Sequence, residues 1–309
     1  MRHFLSPCAL PLIILLITAC GISPQASTSN TGGTAPIPPT ATDRPSMITP
    51  PSTITETPKS VTLCDTGKTL FCVVAGNFLA VRPIGAPGND NVDRTYPYAS
   101  NADGEREYHH GVEFVNATGA AVLAAGDGIV IYSGDDRELK FSPWVNFYGQ
   151  LIIIEHQTSA DPIYSLYAHL SSLNVHEGEL VKGGEKIGEV GATGAAIGSH
   201  LHFEVRLQPT EYSSTVNPEL WIPPIENEGV LSIRLVDENG MFSNPSCSLQ
   251  YFQNGSTTFT ESWEITLYPL PMQNPENWEN AAIGGLREGT YRIVCFWAGA
   301  WQERWVEIE

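Results

Sequence analysis

Short apolar runs separated by glycine, aspartate and asparagine turns fill the middle of the chain. The runs at 151–155, 163–169 and 200–206 have strand length, and little of the pattern repeats at a helical period. Two further runs flank the Gly-Asp-Gly at 126–128, and this arrangement predicts a β-hairpin. The pattern predicts an antiparallel all-β domain over residues 61–223.

The last third of the chain repeats this short-strand pattern. Strands are predicted at 230–236, 248–252, 263–268, 290–296 and 304–308, with Asn-Gly turns at 239–240 and 254–255. Such regular spacing favours a small β-sandwich over residues 224–309, immunoglobulin-like in broad class. Five of the seven tryptophans lie here, namely Trp263, Trp278, Trp297, Trp301 and Trp305. They are either core aromatics or a stacking platform for a glycan.

The first sixty residues differ from both β regions. Arg2 precedes an almost entirely apolar run at 4–17, and small residues stand directly before Cys20. Such a short run is typical of a signal peptide rather than a membrane span. The cysteine-terminated site resembles the bacterial lipoprotein lipobox, which implies a signal peptide at 1–19 and a lipid anchor to a membrane at Cys20. The alternative is an ordinary secretory signal, and either one directs the protein out of the cytoplasm.

Residues 20–60 are predicted to be a disordered tether. Positions 21–60 hold 8 Pro, 9 Thr and 6 Ser, so more than half of this stretch contributes nothing to an apolar core. As a flexible coil it would span about 35 Å root-mean-square.

Four cysteines follow Cys20, and an oxidising compartment favours disulfides between them. We expect Cys64 to pair with Cys72 and Cys247 with Cys295. Spacing alone does not determine connectivity, so the other pairings of these four residues stay open.

Composition and charge narrow the class of protein and its partners. The 28 Gly and 23 Pro among 309 residues, with only 16% charged residues, exclude a coiled coil, a collagen and a wholly disordered chain. Lys and Arg total 16 against 34 Asp and Glu, which gives a formal net charge of −18. A polyanion would be repelled over most of this surface, so no nucleic-acid partner is expected.

Histidine and carboxylate side chains recur in three motifs of the middle region. Strand alternation places both imidazoles of His200-Leu-His202 on one face. The segment His109-x-Gly-x-Glu113 offers an imidazole and a carboxylate four residues apart, and His169 ends a predicted strand. Imidazole and carboxylate groups suit zinc, which in catalytic sites takes three protein ligands and leaves one position for water.

Together these motifs resemble the signature segments of the lysostaphin-like, LytM-type zinc metallopeptidases, which cut peptidoglycan peptides. The likeness is carried by His109-x-Gly-x-Glu113, Tyr167-Ala-His169-Leu and His200-Leu-His202-Phe-Glu, and it runs from about residue 108 to 206. It implies antiparallel β-sheets that form a groove with the metal at its floor.

The resemblance also implies the role of each residue. His109, Glu113 and His202 would be the zinc ligands, while His169 and His200 would handle protons and stabilise the tetrahedral intermediate. The function implied is a zinc-dependent endopeptidase that hydrolyses peptide bonds in peptidoglycan, with wall peptides as substrate and an extracytoplasmic location in the cell envelope.

One residue departs from the family pattern. The family ordinarily has Asp where this chain has Glu113, and the extra methylene moves the carboxylate oxygens by roughly 1 Å. Zinc accepts Glu in other sites, so we expect metal binding to survive with altered geometry. The alternative function is a catalytically impaired LytM-type protein that binds the wall or activates an amidase.

The neighbouring polar residues leave alternatives open. His110 would replace His109 as a ligand if the register were shifted by one, although the H-x-G frame favours His109. Glu204 shares a strand face with the H-x-H pair, where it either supports a ligand or makes a structural hydrogen bond. His156 and His176 lie outside the motifs and are predicted to be surface residues.

Overall fold

The computed structural model describes residues 13–19, 71–74, 79–138, 141–158, 161–253, 256–273 and 279–308, the first two ranges by their backbone alone. These residues are nearly all in strands and loops, which confirms the predicted all-β class. The tether, the lipid site Cys20, Cys64 and the side chain of Cys72 lie outside what the structure describes, so the tether, the lipid anchor and the Cys64–Cys72 pair stay predictions. No helix in the described ranges is long and apolar enough to cross a membrane.

The strands are numbered in chain order. They are β1 (Ile13–Ala19), β2 (Phe71–Val74), β3 (Val112–Val115), β4 (Ala121–Leu123), β5 (Gly128–Asp135), β6 (Gln150–His156), β7 (Ile163–Ala168), β8 (Ser172–Leu173), β9 (Leu180–Val181), β10 (Lys186–Glu189), β11 (His200–Arg206), β12 (Thr215–Val216), β13 (Glu228–Val236), β14 (Ser246–Phe252), β15 (Glu261–Glu264), β16 (Ala281–Arg287), β17 (Gly289–Trp297) and β18 (Ala300–Ile308). Short 3₁₀ turns occupy Ala102–Gly104, Tyr212–Ser214, Pro218–Leu220 and Leu270–Met272.

The main sheet of the middle region has the order β12-β11-β7-β6-β5-β9, and β3 also pairs with β11. All of its pairings are antiparallel. Every residue of β11 is buried, because the strand has neighbours on both edges and packed side chains on both faces. Its apolar face, with Leu201 and Phe203, lies in a core with Val112 and Phe114. The opposite face carries the polar residues of the H-x-H motif.

The predicted hairpin across 126–128 is wrong. β4 pairs with β10 in a separate sheet of order β4-β10-β8, whereas β5 pairs with β6 and β9. Gly128 instead allows β5 to lie close to β6, because a Cβ at this position would lie 2.4 Å from the carbonyl oxygen of Glu155 on β6. A glycine needed for interstrand packing leaves the same sequence signal as one needed for a turn.

The C-terminal region is a sandwich of two sheets, as the strand pattern predicts. One sheet has the order β15-β14-β17-β18, and the other contains β13 and β16. Leu231 and Ile233 of β13 pack with Leu249 and Ile293 of the facing sheet. A disulfide joins Cys247 to Cys295, which are directly opposite each other on β14 and β17.

Two strands of the sandwich were not expected from the sequence. β16 escapes the strand pattern because it is rich in small residues and carries two consecutive glycines, of which Gly285 has a positive φ of 61°. β1 lies inside the predicted signal peptide and pairs antiparallel with β13 and parallel with β2. A mature chain that begins at Cys20 lacks β1.

His156 is buried, so its prediction as a surface residue is wrong. Its Nδ1 lies 2.9 Å from the carbonyl oxygen of Asp127, and its Nε2 lies 2.7 Å from Ser165 Oγ. Ser165 in turn hydrogen-bonds with the hydroxyl of Tyr167. The ring therefore ties the end of β6 to β7 and to the loop before β5. Burial lowers the pKa of His156 below its ordinary value.

We expect His156→Gln to lower the free energy of unfolding by about 1–3 kcal/mol, because buried hydrogen-bonding partners lose their imidazole. The matched control is His176→Gln, at an exposed position, which should change it by less than about 0.5 kcal/mol. Urea denaturation at pH 7.5 measures both. Equal effects of the two substitutions would contradict the structural role of His156.

The pH dependence has a defined sign. The pKa of His156 is lower in the folded state than in the unfolded state. The contribution of His156 to the free energy of unfolding is therefore fully present above about pH 6.5 and is lost as pH falls. The stability difference between the wild-type protein and His156→Gln should therefore shrink from pH 7.5 to pH 5.5. A difference that grows on acidification would contradict this assignment.

Candidate metal centre

Three side chains from two adjacent strands and the turn before them converge at one point. His109 precedes β3, Glu113 lies on β3, and His202 lies on β11 directly opposite Glu113. Their potential ligand atoms all lie within 4.8 Å of one another. The structure therefore brings together the three residues that the family resemblance implies as ligands.

His110 is directed elsewhere. Its Nδ1 lies 2.8 Å from Thr215 Oγ1, and its ring stacks on Tyr212 with 3.7 Å between the centroids. The shifted register in which His110 replaces His109 is therefore not the one that this geometry favours.

The distances between the ligand atoms approach those of a tetrahedral zinc site. His109 Nε2 lies 3.2 Å from His202 Nδ1 and 3.8 Å from Glu113 Oε1. Ligands at normal zinc distances from a tetrahedral centre are about 3.3–3.5 Å apart. The longer side chain of Glu113 thus reaches the cluster.

The outer nitrogen of each ligand histidine is held by an acceptor. His109 Nδ1 lies 2.7 Å from the carbonyl oxygen of Tyr96, and His202 Nε2 lies 3.0 Å from Glu204 Oε1. Neither acceptor carries a proton, so each ring must place its own N–H on that outer side. In the neutral rings, His109 Nε2 and His202 Nδ1 are then both bare lone pairs.

Two lone pairs at 3.2 Å repel each other unless a proton or a cation lies between them. Burial lowers the pKa of His109 well below its ordinary value, which disfavours the proton. A divalent cation satisfies both nitrogens and the Glu113 carboxylate at once. The donor set of two imidazoles and one carboxylate fits zinc.

Glu204 is the centre of a buried polar network behind His202. Its Oε1 accepts hydrogen bonds from His202 and from the Tyr148 hydroxyl (2.6 Å), and its Oε2 accepts one from Arg206 Nε (2.6 Å). Arg206 also donates to the Tyr148 hydroxyl at 2.8 Å. Glu204, Arg206 and Tyr148 are completely buried.

The charges of this network compensate each other. Burial alone would raise the pKa of Glu204, but Arg206 and the hydrogen bond from His202 outweigh it, so the pKa lies below its ordinary value. A carboxylate that stays ionised fixes the tautomer and the orientation of His202. Glu204 hydrogen-bonds with His202 and also with Tyr148 and Arg206, so the structure is compatible with both roles considered for it.

The sequence analysis missed Arg206 and Tyr148. Strand alternation along β11 carries a signal for Arg206, because residues 200, 202, 204 and 206 share one face. Tyr148 lies in the loop before β6, and nothing in the local sequence connects it to the site.

His169 and His200 flank the cluster. Their ring centroids are 4.8 Å apart, and His169 lies 5.6 Å from His202 by the same measure. His169 Nδ1 is 2.9 Å from the carbonyl oxygen of Thr193, and His200 Nδ1 is 3.2 Å from that of Gly198. Both rings therefore place their N–H on the outer nitrogen, which leaves Nε2 as the acceptor.

Both flanking histidines are neutral at pH 7. Burial lowers the pKa of His169 to about 3, with further lowering by His202 and His200. Burial also lowers the pKa of His200, although the Glu113 carboxylate opposes the shift. His200 Nε2 lies 3.5 Å from Glu113 Oε1, and it is among the few buried side-chain polar atoms of the described residues without a hydrogen-bond partner. It is therefore available to a ligand in the groove.

The backbone has special geometry at two positions of the site, His169 and Gly111. His169 directly follows β7 in a left-handed conformation (φ 62°), which costs about 1–3 kcal/mol in a non-glycine residue. At Gly111, a Cβ would lie 2.5 Å from the carbonyl oxygen of Phe203 and 2.8 Å from His202 Nε2. The glycine of the H-x-G motif is therefore required by the close approach of the chain to β11.

The cluster lies in an open groove of about 530 Å³. Tyr96, which stacks on His109 at 4.2 Å, lines one part of it. Other parts of the groove are lined by Phe147, Tyr212 and the exposed Ile197.

Most of the residues that line the groove lie within one stretch that matches a known family. Residues 107–218 match peptidase family M23. This part of the chain is an M23 domain. The match covers the ligand cluster, both flanking histidines and the Glu204 network.

Two curated relatives share the M23 domain. The DD-carboxypeptidase/endopeptidase Mpg of Neisseria meningitidis is 37% identical over 112 residues, which are 36% of this chain and 23% of that protein. The murein hydrolase activator NlpD of Escherichia coli is 35% identical over 113 residues, which are 37% of this chain and 26% of that protein. The chain thus spans about a quarter of the length of these relatives.

Among solved structures, the catalytic domain of lysostaphin from Staphylococcus simulans is 29% identical to this chain, with a TM-score of 0.32. The alignment covers 40% of this chain and 82% of that domain.

The Glu204 network predicts a measurable effect on metal affinity. We expect Glu204→Gln to weaken zinc binding by about 10–100-fold, because the substitution removes the charge that orients His202. It should also lower the free energy of unfolding by about 3–5 kcal/mol, because the buried Arg206 loses its counter-charge. Competition with a chromogenic chelator measures the first effect, and urea denaturation of the metal-free protein measures the second.

Glu307→Gln, at an exposed position of β18, is the matched control and should change neither quantity. A zinc affinity of Glu204→Gln within twofold of the wild-type value would show that Glu204 does not position the ligand.

Proposed function

We propose that this protein is a zinc-dependent endopeptidase that hydrolyses peptide bonds in peptidoglycan. One observation carries the proposal: the lone pairs of His109 and His202 and the carboxylate of Glu113 converge in an open groove beside two further neutral histidines. Membership of the domain in family M23 supports the peptidase chemistry. The relatives named for endopeptidase activity and for murein hydrolase activation support peptidoglycan as the substrate.

The residues of the groove have different roles in the proposed hydrolysis. Zinc, when bound by His109, Glu113 and His202, supplies a Lewis acid for the scissile carbonyl and lowers the pKa of a bound water to about 7. His200 and His169 are the proposed proton-handling residues, since the unprotonated Nε2 of each is able to accept a hydrogen bond from the attacking water or the leaving amine. Their fixed outer hydrogen bonds hold the rings in place for this role.

The proposal includes the cellular location. Export under the predicted signal peptide and lipid attachment at Cys20 would place the domain outside the cytoplasm, on a membrane of the cell envelope. The predicted tether at 20–60 would allow the groove to reach the wall polymer.

A second candidate is a catalytically impaired protein that binds the wall or activates an amidase. The similarity to NlpD, whose name describes an activator, favours it. The geometry at Glu113 favours the enzyme instead, because the carboxylate lies 3.8 Å from His109 Nε2 despite its extra methylene.

We expect the zinc-loaded protein to release peptides from purified peptidoglycan, and His202→Ala to reduce this release by at least about 1,000-fold, because the metal loses a ligand. Glu113→Asp should retain activity within about tenfold, since zinc accepts either carboxylate. Chromatography of the released fragments measures both. His176→Ala, at an exposed histidine, is the matched control and should release peptides at the wild-type rate.

The double substitution His169→Ala, His200→Ala separates the two candidates. An enzyme loses peptide release in this variant, whereas an activator keeps its stimulation of an amidase. Zinc-loaded wild-type protein that leaves every wall preparation uncut, while stimulating an amidase, would overturn the endopeptidase proposal.

A further inference from the structure

The two faces of the sheet β15-β14-β17-β18 differ sharply. The inner face, which includes Leu249, Ile293 and Val306, packs against β13 and β16. The outer face carries Trp301 and Trp305 on β18 and Phe296 on β17. The exposed fractions of these three side chains are 72%, 50% and 46%. Large aromatic side chains clustered on an exposed surface are typical of a binding site.

Strand register groups these aromatics into two clusters. Phe296 is directly opposite Trp301, and their ring centroids are 5.1 Å apart. Trp305 contacts Phe252 at 4.8 Å, and the Arg292 guanidinium lies 5.3 Å from the centre of each of these two rings. The two tryptophans are four positions apart on β18, which places them about 13 Å apart on a single face.

Polar groups lie beside Trp305 and between the two tryptophans. The Arg292 guanidinium donates to Gln250 Oε1 at 2.9 and 2.6 Å, and it lies 3.5 Å from a carboxylate oxygen of Glu303. Register places Gln250 opposite Arg292 and Val294 opposite Glu303. Because these contacts hold the polar side chains in place, little conformational entropy remains to be lost on binding.

We propose that this outer face binds a glycan chain. A pyranose ring presents C–H bonds on its faces and hydroxyl groups on its edges, so it stacks on an aromatic ring while neighbouring polar groups bind its hydroxyls. Trp301 and Trp305 supply two stacking rings, Glu303 lies between them on β18, and Arg292 and Gln250 supply a donor and an acceptor beside Trp305. The spacing of the rings suits a chain of several sugars rather than a single one.

The charge of the face favours a neutral ligand over an anionic membrane. Glu264, Glu303 and Glu307 all point to the outer side, as their register positions show. Arg292 is engaged with Gln250 and Glu303 rather than free to meet a phosphate. These carboxylates repel anionic lipid headgroups, whereas glycan hydroxyls accept hydrogen bonds from Arg292 and donate to Glu303.

The identification of this glycan as the glycan strand of peptidoglycan rests on the proposed function. The site would then hold the polysaccharide while the groove acts on its peptides, and two linked sites bind one polymer more tightly than either alone.

The test uses the purified full chain and peptidoglycan glycan strands from which the peptides have been removed. We expect the strands to quench tryptophan fluorescence, and Trp301→Ala, Trp305→Ala to weaken binding by at least about tenfold, as expected for the loss of stacking rings. Trp301→Phe, Trp305→Phe should recover part of the affinity. Met241→Ala and Leu270→Ala, at other exposed apolar positions of the same region, are controls that should bind normally.

Three outcomes would overturn the proposal. The wild-type chain could fail to bind the stripped strands, the double alanine variant could bind them as tightly as wild type, or the two tryptophans could be needed for binding to phosphatidylglycerol vesicles and not to glycan. Circular dichroism of the variants establishes that they fold. Binding of stripped strands by His202→Ala, together with release of soluble wall peptides by the double alanine variant, separates this site from the groove, so either proposal can fail alone.

Discussion

The M23 domain depends on one constraint, which is that the outer nitrogen of each site histidine is held by a fixed acceptor. Backbone carbonyl oxygens hold His109, His169 and His200, and the buried carboxylate of Glu204 holds His202. Each ring must then direct a bare nitrogen inward, where burial also disfavours protonation of His109, His169 and His200. A set of lone pairs with one adjacent carboxylate has a strong electrostatic preference for a cation, so the geometry of this cluster is suited to one.

Holding these side chains in place lowers the stability of the fold and requires a rigid sheet. Glu204 and Arg206 are both removed from water, and their attraction compensates only because Tyr148 and His202 complete the hydrogen bonding. The left-handed backbone at His169 adds a further local cost. The packing of β11 offsets this loss of stability, because the strand is fully buried between strands on both edges and packs Leu201 and Phe203 into the apolar core. Stability of the core and precision of the site thus depend on the same strand.

In the C-terminal sandwich, the tryptophans differ in their environment. Its inner faces form an ordinary apolar core, to which Trp263 and Trp297 contribute at the margin. The outer face keeps Trp301 and Trp305 in solvent, where they would lower solubility unless a ligand covered them. Trp263 and Trp297 therefore fit the interpretation as core aromatics, whereas Trp301 and Trp305 are exposed as a stacking platform would require. A domain that cleaves and a surface that holds the polymer would complement each other on a substrate as large as a cell wall.

The sequence by itself determined the all-β class and the position of most strands, because strand alternation is a local property, and the resemblance of its motifs to a family pattern implied which residues cluster. It failed where a residue's role depends on a distant partner: Gly128 packs against β6, β16 pairs despite its two glycines, and His156 is buried by β7 and a loop. Only the tertiary structure decided that Tyr148 and Arg206 support His202, that Glu113 reaches the cluster and that two tryptophans stay exposed. These outcomes depend on which strands become neighbours, and pairing between segments far apart in the chain leaves no signal in either segment alone.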